Sequence, residues 1–376
     1  MNFIVSSSAL YSALQSVSKV IATKSTLPIL DSFLFDLNGD ILTIVASDVE
    51  IRLTTTLDVI NAEGSVGRFA IDAKRLLDAL KELSEQPMSI DINDETMEVN
   101  VEYSNGKFNV PGQNGDAYPQ HKPLKESAIS VVIESQVLLN GINRSSFAIA
   151  EDELRPVMNG MYFDFYPDNL TIVASDGHKL ARLRLLSVQS NERASFILPR
   201  KPAGLLKNLL LKNSDLVTVA FDENNAFVKT ATFEMICRLI EGRYPNYNAV
   251  IPLDNPNQAT IDRSTFLSAL KRIAAFANQA SGLVKVQLTE NKLILFAQDI
   301  DFSTSGEEQV VCQYNGMTLE IGFKASCLID ILSNISSENV VIQLADATRA
   351  GVIVPEMNKE NEDLLMLLVP LMLNDY

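Results

Sequence analysis

The chain has 376 residues, 47% hydrophobic and 21% charged, with 16 Gly and 14 Pro. That composition excludes a disordered, collagenous or disulfide-dense protein, and the length exceeds one ordinary domain and can bury a sizeable core. The formal net charge of -16 argues against a protein that grips nucleic acid with a generally basic surface.

The opening residues, MNFIVSSSALYSALQ, have no basic stretch ahead of their apolar positions, and serines interrupt those positions, so they do not read as a signal peptide. The mature chain is expected to start at Met1 or Asn2. Leu10, Leu14, Val17 and Ile21 then share one helical face, opposite Ser12, Gln15, Ser16 and Lys19. β-branched runs broken at Asn38-Gly39-Asp40 read as antiparallel strands, followed by a second helix near 73–83 and further strands. The same series returns with Leu138, Ile142, Ser145 and Ile149, a turn at Pro167-Asp168-Asn169, and a second helix near 202–212. It returns again with Phe266, Leu270, Ile273 and Ala277, a turn at Glu290-Asn291, and a helix near 325–333. Each series is helix, strands, helix, strands, which is an α+β unit.

Identity supports the repetition. Leu42-Thr43-Ile44-Val45-Ala46-Ser47-Asp48 recurs unchanged as Leu170-Thr171-Ile172-Val173-Ala174-Ser175-Asp176, and Leu293-Ile294-Leu295-Phe296-Ala297-Gln298-Asp299 is a looser third copy. Tyr118-Pro119 answers Tyr244-Pro245, and Leu76-Leu77-Asp78-Ala79-Leu80 resembles Leu328-Ile329-Asp330-Ile331-Leu332. The chain therefore reads as three divergent domains, 1–125, 126–253 and 254–376. A period of about 125 residues is far longer than a solenoid unit, so each copy is expected to have its own core.

No repeat is basic overall, yet Lys24, Lys74, Arg75, Arg144, Arg200, Lys201, Lys207, Lys271, Arg272 and Lys324 gather on or beside the helices. Acidic residues concentrate in strand and loop segments such as Asp91 to Glu102. An ordinary solvated face explains one such helix; six with the same bias are harder to explain that way.

Cys237, Cys312 and Cys327 form no CxxC pair, which fits a reducing cytoplasm and neither a disulfide framework nor a zinc site. There is no GxxxxGK[ST] loop, no GxGxxG after a strand and no HExxH, and His121 and His178 are the only histidines, so no cofactor and no metal are expected. The most apolar run, 364–373, contains Pro370 and falls short of the roughly 20 residues of a membrane span. Ser175, Asp176 and His178 invite an alternative reading as an acidic three-domain hydrolase. Residues so close along one strand do not readily form a nucleophile, base and orienter line, and the first copy has Val49-Glu50 in place of Gly177-His178. A protein-binding scaffold that never meets DNA is a third reading.

Several stretches carry a resemblance over the whole chain: Thr26-Leu27-Pro28-Ile29-Leu30, Asn159-Gly160-Met161, Ser175-Asp176-Gly177-His178-Lys179-Leu180-Ala181, Pro199-Arg200-Lys201, and Gly242-Arg243-Tyr244-Pro245-Asn246-Tyr247 followed by Val250-Ile251-Pro252. In order and spacing the chain resembles the bacterial DNA sliding clamps, the beta subunits of the DNA polymerase III holoenzyme. The resemblance implies a non-catalytic processivity factor: a head-to-tail homodimer of three-domain subunits that closes a ring around duplex DNA, helices lining the hole and sheets outside. It implies DNA-facing roles for Lys24, Lys74, Arg75, Arg155, Arg200 and Lys201; Arg144, Lys207, Lys271, Arg272 and Lys324 are added from helix polarity. Glu151-Asp152-Glu153 beside Arg155 is more acidic than a DNA-facing loop should be. The resemblance also implies a hydrophobic groove for linear motifs of the polymerase, clamp loader and repair proteins, lined by Met158, Ser175, Gly177, His178, Lys179, Leu180, Pro245, Val250, Leu367, Val369 and Met372. Lys107 and Phe108 are expected to meet Ala275 and Phe276 of a second copy. The polar ending Asn374-Asp375-Tyr376 departs from the family pattern. The implied location is the bacterial cytoplasm, on the nucleoid.

Overall fold

The computed structural model describes residues 1–22, 27–93, 95–121, 123–211 and 215–373. Lys24 and Asn374-Asp375-Tyr376 lie outside the described residues. Six α-helices stand among these residues, two in each repeat: α1 (Ser7–Ser18), α2 (Ala73–Lys81), α3 (Ser135–Ser145), α4 (Arg200–Leu210), α5 (Arg263–Ala274) and α6 (Ala325–Ser333).

Each repeat opens with a strand and not with its helix: Asn2–Ser6, Ile129–Glu134 and Asn257–Asp262 precede α1, α3 and α5. In the first and third repeats the last strand residue also starts the helix. Ser6 Oγ accepts from the Ala9 N–H at 3.1 Å and Asp262 Oδ1 from the Thr265 N–H at 2.7 Å. Such caps satisfy amide groups that have no partner within the helix. Leu10, Leu14, Val17, Leu138, Ile142, Phe266, Leu270 and Ile273 are buried as their spacing predicts, whereas Ile21, Ile149 and Ala277 lie beyond the helix ends. Helix α4 ends at Leu210 and begins two residues earlier than 202, with Pro202 in its first turn, where no N–H is required.

The chain forms two compact units, Met1–Gln136 with Leu205–Leu239, and Val137–Gly204 with the chain from Ile240 onward. Each holds one 12-stranded sheet with antiparallel pairings. In the first, Ile51–Asp58 pairs with Glu234–Arg238, setting Arg52 opposite Ile236 and Thr54 opposite Glu234. In the second, Lys179–Leu185 pairs with Glu362–Leu368, setting Leu180 opposite Leu367. The sheets thus run through the boundaries between sequence repeats, and for this reason the compact units do not coincide with those repeats.

The seven-residue repeat is a core strand ended by a turn. Leu42, Ile44, Leu170, Ile172, Leu293 and Leu295 are fully buried, each stabilising the fold by about 1.5–3 kcal/mol relative to exposure. The terminal aspartate then closes the turn. Asp48 Oδ1 accepts from the Glu50 and Ile51 N–H groups at 2.7 and 2.6 Å, and Asp176 Oδ1 from those of His178 and Lys179, both at 2.8 Å. Asp299 Oδ1 does the same with Asp301 and Phe302 at 3.0 and 3.3 Å. Among the described residues no helix is long and apolar enough to cross a membrane.

Candidate functional site

In the second unit the residues of the expected groove divide into floor and rim. Val173, Leu180, Ile197, Tyr244, Tyr247 and Leu367 form one buried apolar cluster, with Val157, Tyr162, Ile240, Ile251 and Leu365 packed against it. Tyr162 and Tyr244 stack at 4.9 Å between ring centroids, 5° from parallel. The Tyr247 hydroxyl donates to Asp164 Oδ2 at 3.1 Å, and burial followed by the Asp164 charge pushes that phenol up. Beside this floor, Pro245 and His178 are exposed, and Val250, Val369 and Met372 show 56%, 39% and 73% of their surface to solvent. Met158 is buried outside the cluster, with Val157 packed against the cluster in its stead. The run 364–373 is only partly strand: pairing ends at Leu368, after which the Val369 N–H donates to His178 O at 2.8 Å and the Leu371 N–H to Gly322 O at 2.8 Å.

The hairpin between Ser175 and Leu180 forms one wall. Gly177 has φ +90°, a conformation that favours glycine, while the Arg155 guanidinium tip that a Cβ would meet at 2.8 Å can move aside. Ser175 Oγ donates to Lys179 O at 2.9 Å, and the Asp176 carboxylate is occupied by the turn. Both groups are thus committed to the turn.

Lys179 does not belong to the groove. Side chains alternate along a strand, so Leu180 reaches the cluster while Lys179 points to the opposite face. There its buried ammonium lies 3.2 Å from Asp176 Oδ2 and 3.1 Å from Asp330 Oδ2 of α6. Burial alone would lower this ammonium; Asp176 and Asp330 reverse that and hold it above its ordinary value. Burial would likewise raise Asp176, but the backbone N–H groups of Lys179 and His178, with the Lys179 charge, hold it below.

The basic residues also divide. Lys74, Arg75, Lys201, Lys207, Lys271 and Lys324 are exposed on or next to helices. Arg144 is half-buried, and its guanidinium donates to Asn334 O and Ser336 Oγ beyond the end of α6, so it is a structural tie and not a free cation. Arg155 pairs with Asp152 at 2.7 Å and donates to Asp176 O at 3.2 Å, which assigns it to the groove hairpin. Arg200 pairs with Glu151, and Arg272 Nε lies 3.0 Å from Glu308 Oε2. Glu151 and Asp152 thus direct their charge to neighbouring arginines.

Apart from the strands at the ends of the two sheets, two interior strands among the described residues are paired on one side only over much of their length. In Gly106–Asn114 the stretch 106–111 pairs with Glu98–Tyr103, and only 112–114 reach a second strand. In Thr304–Gln313 the stretch 304–311 pairs with Lys292–Asp299, and only Cys312 and Gln313 reach another. Lys107 and Phe108 sit on the first open stretch. Ala275 and Phe276 follow α5 beside the second, where a Cβ on Gly306 would come within 2.7 Å of the Phe276 ring. Phe276 is 39% exposed. Such edges present unpaired backbone groups to another strand. Among the described residues no group of three or more His, Cys, Asp or Glu is placed to hold a metal ion.

Known proteins share this arrangement. The chain matches the family models for the DNA polymerase III beta subunit over three consecutive regions, the N-terminal domain at 1–122, the central domain at 132–246 and the C-terminal domain at 248–369. The chain belongs to the DNA polymerase III beta subunit family, the beta sliding clamps. The beta sliding clamp of Pseudomonas aeruginosa is 28% identical over 374 residues, covering 99% of this chain and 100% of that protein. That of Haemophilus influenzae is 28% identical over 347 residues, covering 92% and 94%. A crystal structure of the P. aeruginosa clamp matches with TM-score 0.93 at 27% identity, over 99% of this chain and 100% of that one, and another shows that clamp bound to griselimycin. Like the rest of its family the chain is a non-catalytic processivity subunit with three clamp domains.

Val157, Tyr162, Ile197 and Leu365, which the sequence reading did not name, join the apolar cluster beside the hairpin and the Tyr-Pro loop. Their signal was weak, since each reads alone as an ordinary core residue. Tyr244 and Tyr247 stood within the matched Gly242–Tyr247 stretch and would have followed from it.

Proposed function

We propose that two copies pair head to tail through the half-open strands of the first and third repeats, and that the closed ring holds the replicative polymerase on duplex DNA. The observation that carries this reading is the pair of open stretches, 106–111 in the first repeat and 304–311 in the third, with Phe108 on the first and Phe276 beside the second. Joining them completes a sheet and covers Phe108 and Phe276, which suits a stable interface that a clamp loader must still open.

The three repeats, 1–125, 126–253 and 254–376, each contribute two helices to the inner face. Lys74, Arg75, Lys201, Lys207, Lys271 and Lys324 supply its positive charge, with Arg200 and Arg272 contributing less because acidic neighbours offset them. Lys24 is assigned to the same face from the sequence. Phosphate attraction is independent of sequence and screened by salt, so weak contacts permit sliding while enclosure supplies retention. The net charge of -16 then repels DNA from the exterior and leaves the hole as the favoured path.

The floor around Leu180, Tyr244 and Leu367, with Pro245, Val250, Val369 and Met372 at its rim, takes the linear motifs of the polymerase, clamp loader and repair proteins. An apolar recess held on rigid strands is the physical requirement for such a site. The protein works in the bacterial cytoplasm, on the nucleoid.

The test is retention on nicked circular DNA, loaded with a clamp loader and ATP in moderately high salt, before and after the circle is cut. Retention that disappears on cutting is expected. Retention indifferent to topology would sink encirclement.

A further inference from the structure

The repeat builds the groove's counterpart a second time, with different chemistry. Alignment on the shared Leu-Thr-Ile-Val-Ala-Ser-Asp strand sets Arg52 at the position of Leu180. Ile236 lies opposite Arg52 as Leu367 lies opposite Leu180, so Ile236 answers Leu367. Tyr118-Pro119 answers Tyr244-Pro245, which places His121 at the position of Tyr247 and Leu124 at that of Val250. In the first compact unit Arg52, Ile236, His121 and Leu124, with Phe227, line a cavity of about 660 Å3.

The changes replace an aliphatic floor by a cationic one. Arg52 is half-buried, gives one N–H to Pro119 O at 3.1 Å, and has no carboxylate within ion-pair distance among the described residues. Of the other charges in the cavity wall, Glu234 pairs with Lys229, and Arg68 lies 3.3 Å from Asp36 and 3.4 Å from Asp116; the Asp36 charge also acts on Arg52 from beyond ion-pair distance. Burial first, and Arg52 second, hold the His121 imidazole below its ordinary value, and its buried Nε2 has no hydrogen-bond partner. The cavity therefore offers a guanidinium with unused donors and a neutral imidazole, beside the apolar surfaces of Ile236, Phe227 and Leu124.

We propose that this cavity is a second linear-motif site, taking an extended peptide segment in which an acidic side chain is flanked by apolar ones. The carboxylate meets Arg52, a geometry suited to bidentate pairing, and the apolar neighbours rest on Ile236 and Leu124. It differs from the groove in discriminating aspartate from asparagine, because the groove has Leu180 where this site has its cation.

The full-length protein, methyl-labelled at Ile, Leu and Val, is titrated with acetyl-Leu-Asp-Leu-amide and with acetyl-Leu-Asn-Leu-amide. The Ile236 and Leu124 methyls are expected to shift saturably, with affinity for the Asp peptide about tenfold the greater, as one charge-assisted hydrogen bond allows. Arg52→Gln is expected to abolish that difference while leaving any shifts of Leu367 and Val250 unaltered. Ile236 and Leu124 methyls that stay still, or that answer both peptides alike, overturn the proposal. The two-peptide comparison in the unaltered protein needs no variant, so it stands even if Arg52→Gln folds poorly.

Discussion

The Lys179 ammonium lies 3.1 Å from Asp330 and 3.2 Å from Asp176, so one buried cation ties the groove hairpin to helix α6. Lys179→Met leaves two carboxylates facing each other without their cation. A loss of about 1–3 kcal/mol is expected, at the lower end because Asp330 is half-exposed and solvent screens it. Urea denaturation of the variant measures it, and Lys179→Arg should recover part of the loss.

Acid should reach the same tie. Asp176 is held below its ordinary value of 3.8 in the folded protein, so its contribution is complete above that value and lost as pH falls through the lower folded value. The stability gap between the protein and Asp176→Asn should therefore narrow below pH 3.8. Lys179 is held above its ordinary value of 10.5, so its contribution is lost only as pH rises beyond that. Denaturation curves across the acid range check the first statement, and a gap that does not change with pH would contradict it.

At the groove, rim and floor should behave differently. Val250→Asp is expected to weaken binding of an apolar linear-motif peptide of the polymerase by about tenfold or more, with melting temperature unchanged, because a charge replaces an exposed apolar contact. Leu367→Ala is expected to cost about 2–5 kcal/mol of folding stability, since it opens a void in a packed floor. Calorimetric titration and thermal melts separate the two.

Sedimentation should report the interface. Phe276→Asp and Phe108→Asp each place a carboxylate where the open strands would close, at an expected cost of about 2–4 kcal/mol to association. A shift from dimer to monomer at micromolar concentration, with unchanged circular dichroism, is the expected outcome.

Salt dependence distinguishes free cations from occupied ones. Removing Lys74 and Arg75 together should reduce the slope of log affinity against log salt by about one for each phosphate that is no longer neutralised. Arg144→Ala should leave that slope unchanged and instead lower stability, because its guanidinium is committed to Asn334 and Ser336.

Much of the fold was legible because its signals are local. A 3.6-residue period buries Leu10, Leu14 and Val17 on a single helix face, and a seven-residue identity marks equivalent strands in different copies. Pro245 and Val250, proposed for the groove, lie in the matched stretches and are exposed. The leading strands were missed because five or six residues before a strong helix pattern carry little periodicity.

The sequence by itself determined that the chain is three copies of one α+β unit and that its cations collect near helices. Only the tertiary structure decided what those side chains do. Arg144 and Arg155 read as DNA-facing cations and Lys179 as a groove residue, yet each is consumed by acceptors: Asn334 and Ser336, Asp152 and Asp176, Asp176 and Asp330. The continuity of each sheet through a repeat boundary was equally hidden, as was the matching of Arg52 with Ile236 and of Leu180 with Leu367. The reason is one of range: helix faces and turns depend on neighbours a few residues away, whereas a charge or a strand edge finds its partner wherever the folded chain returns.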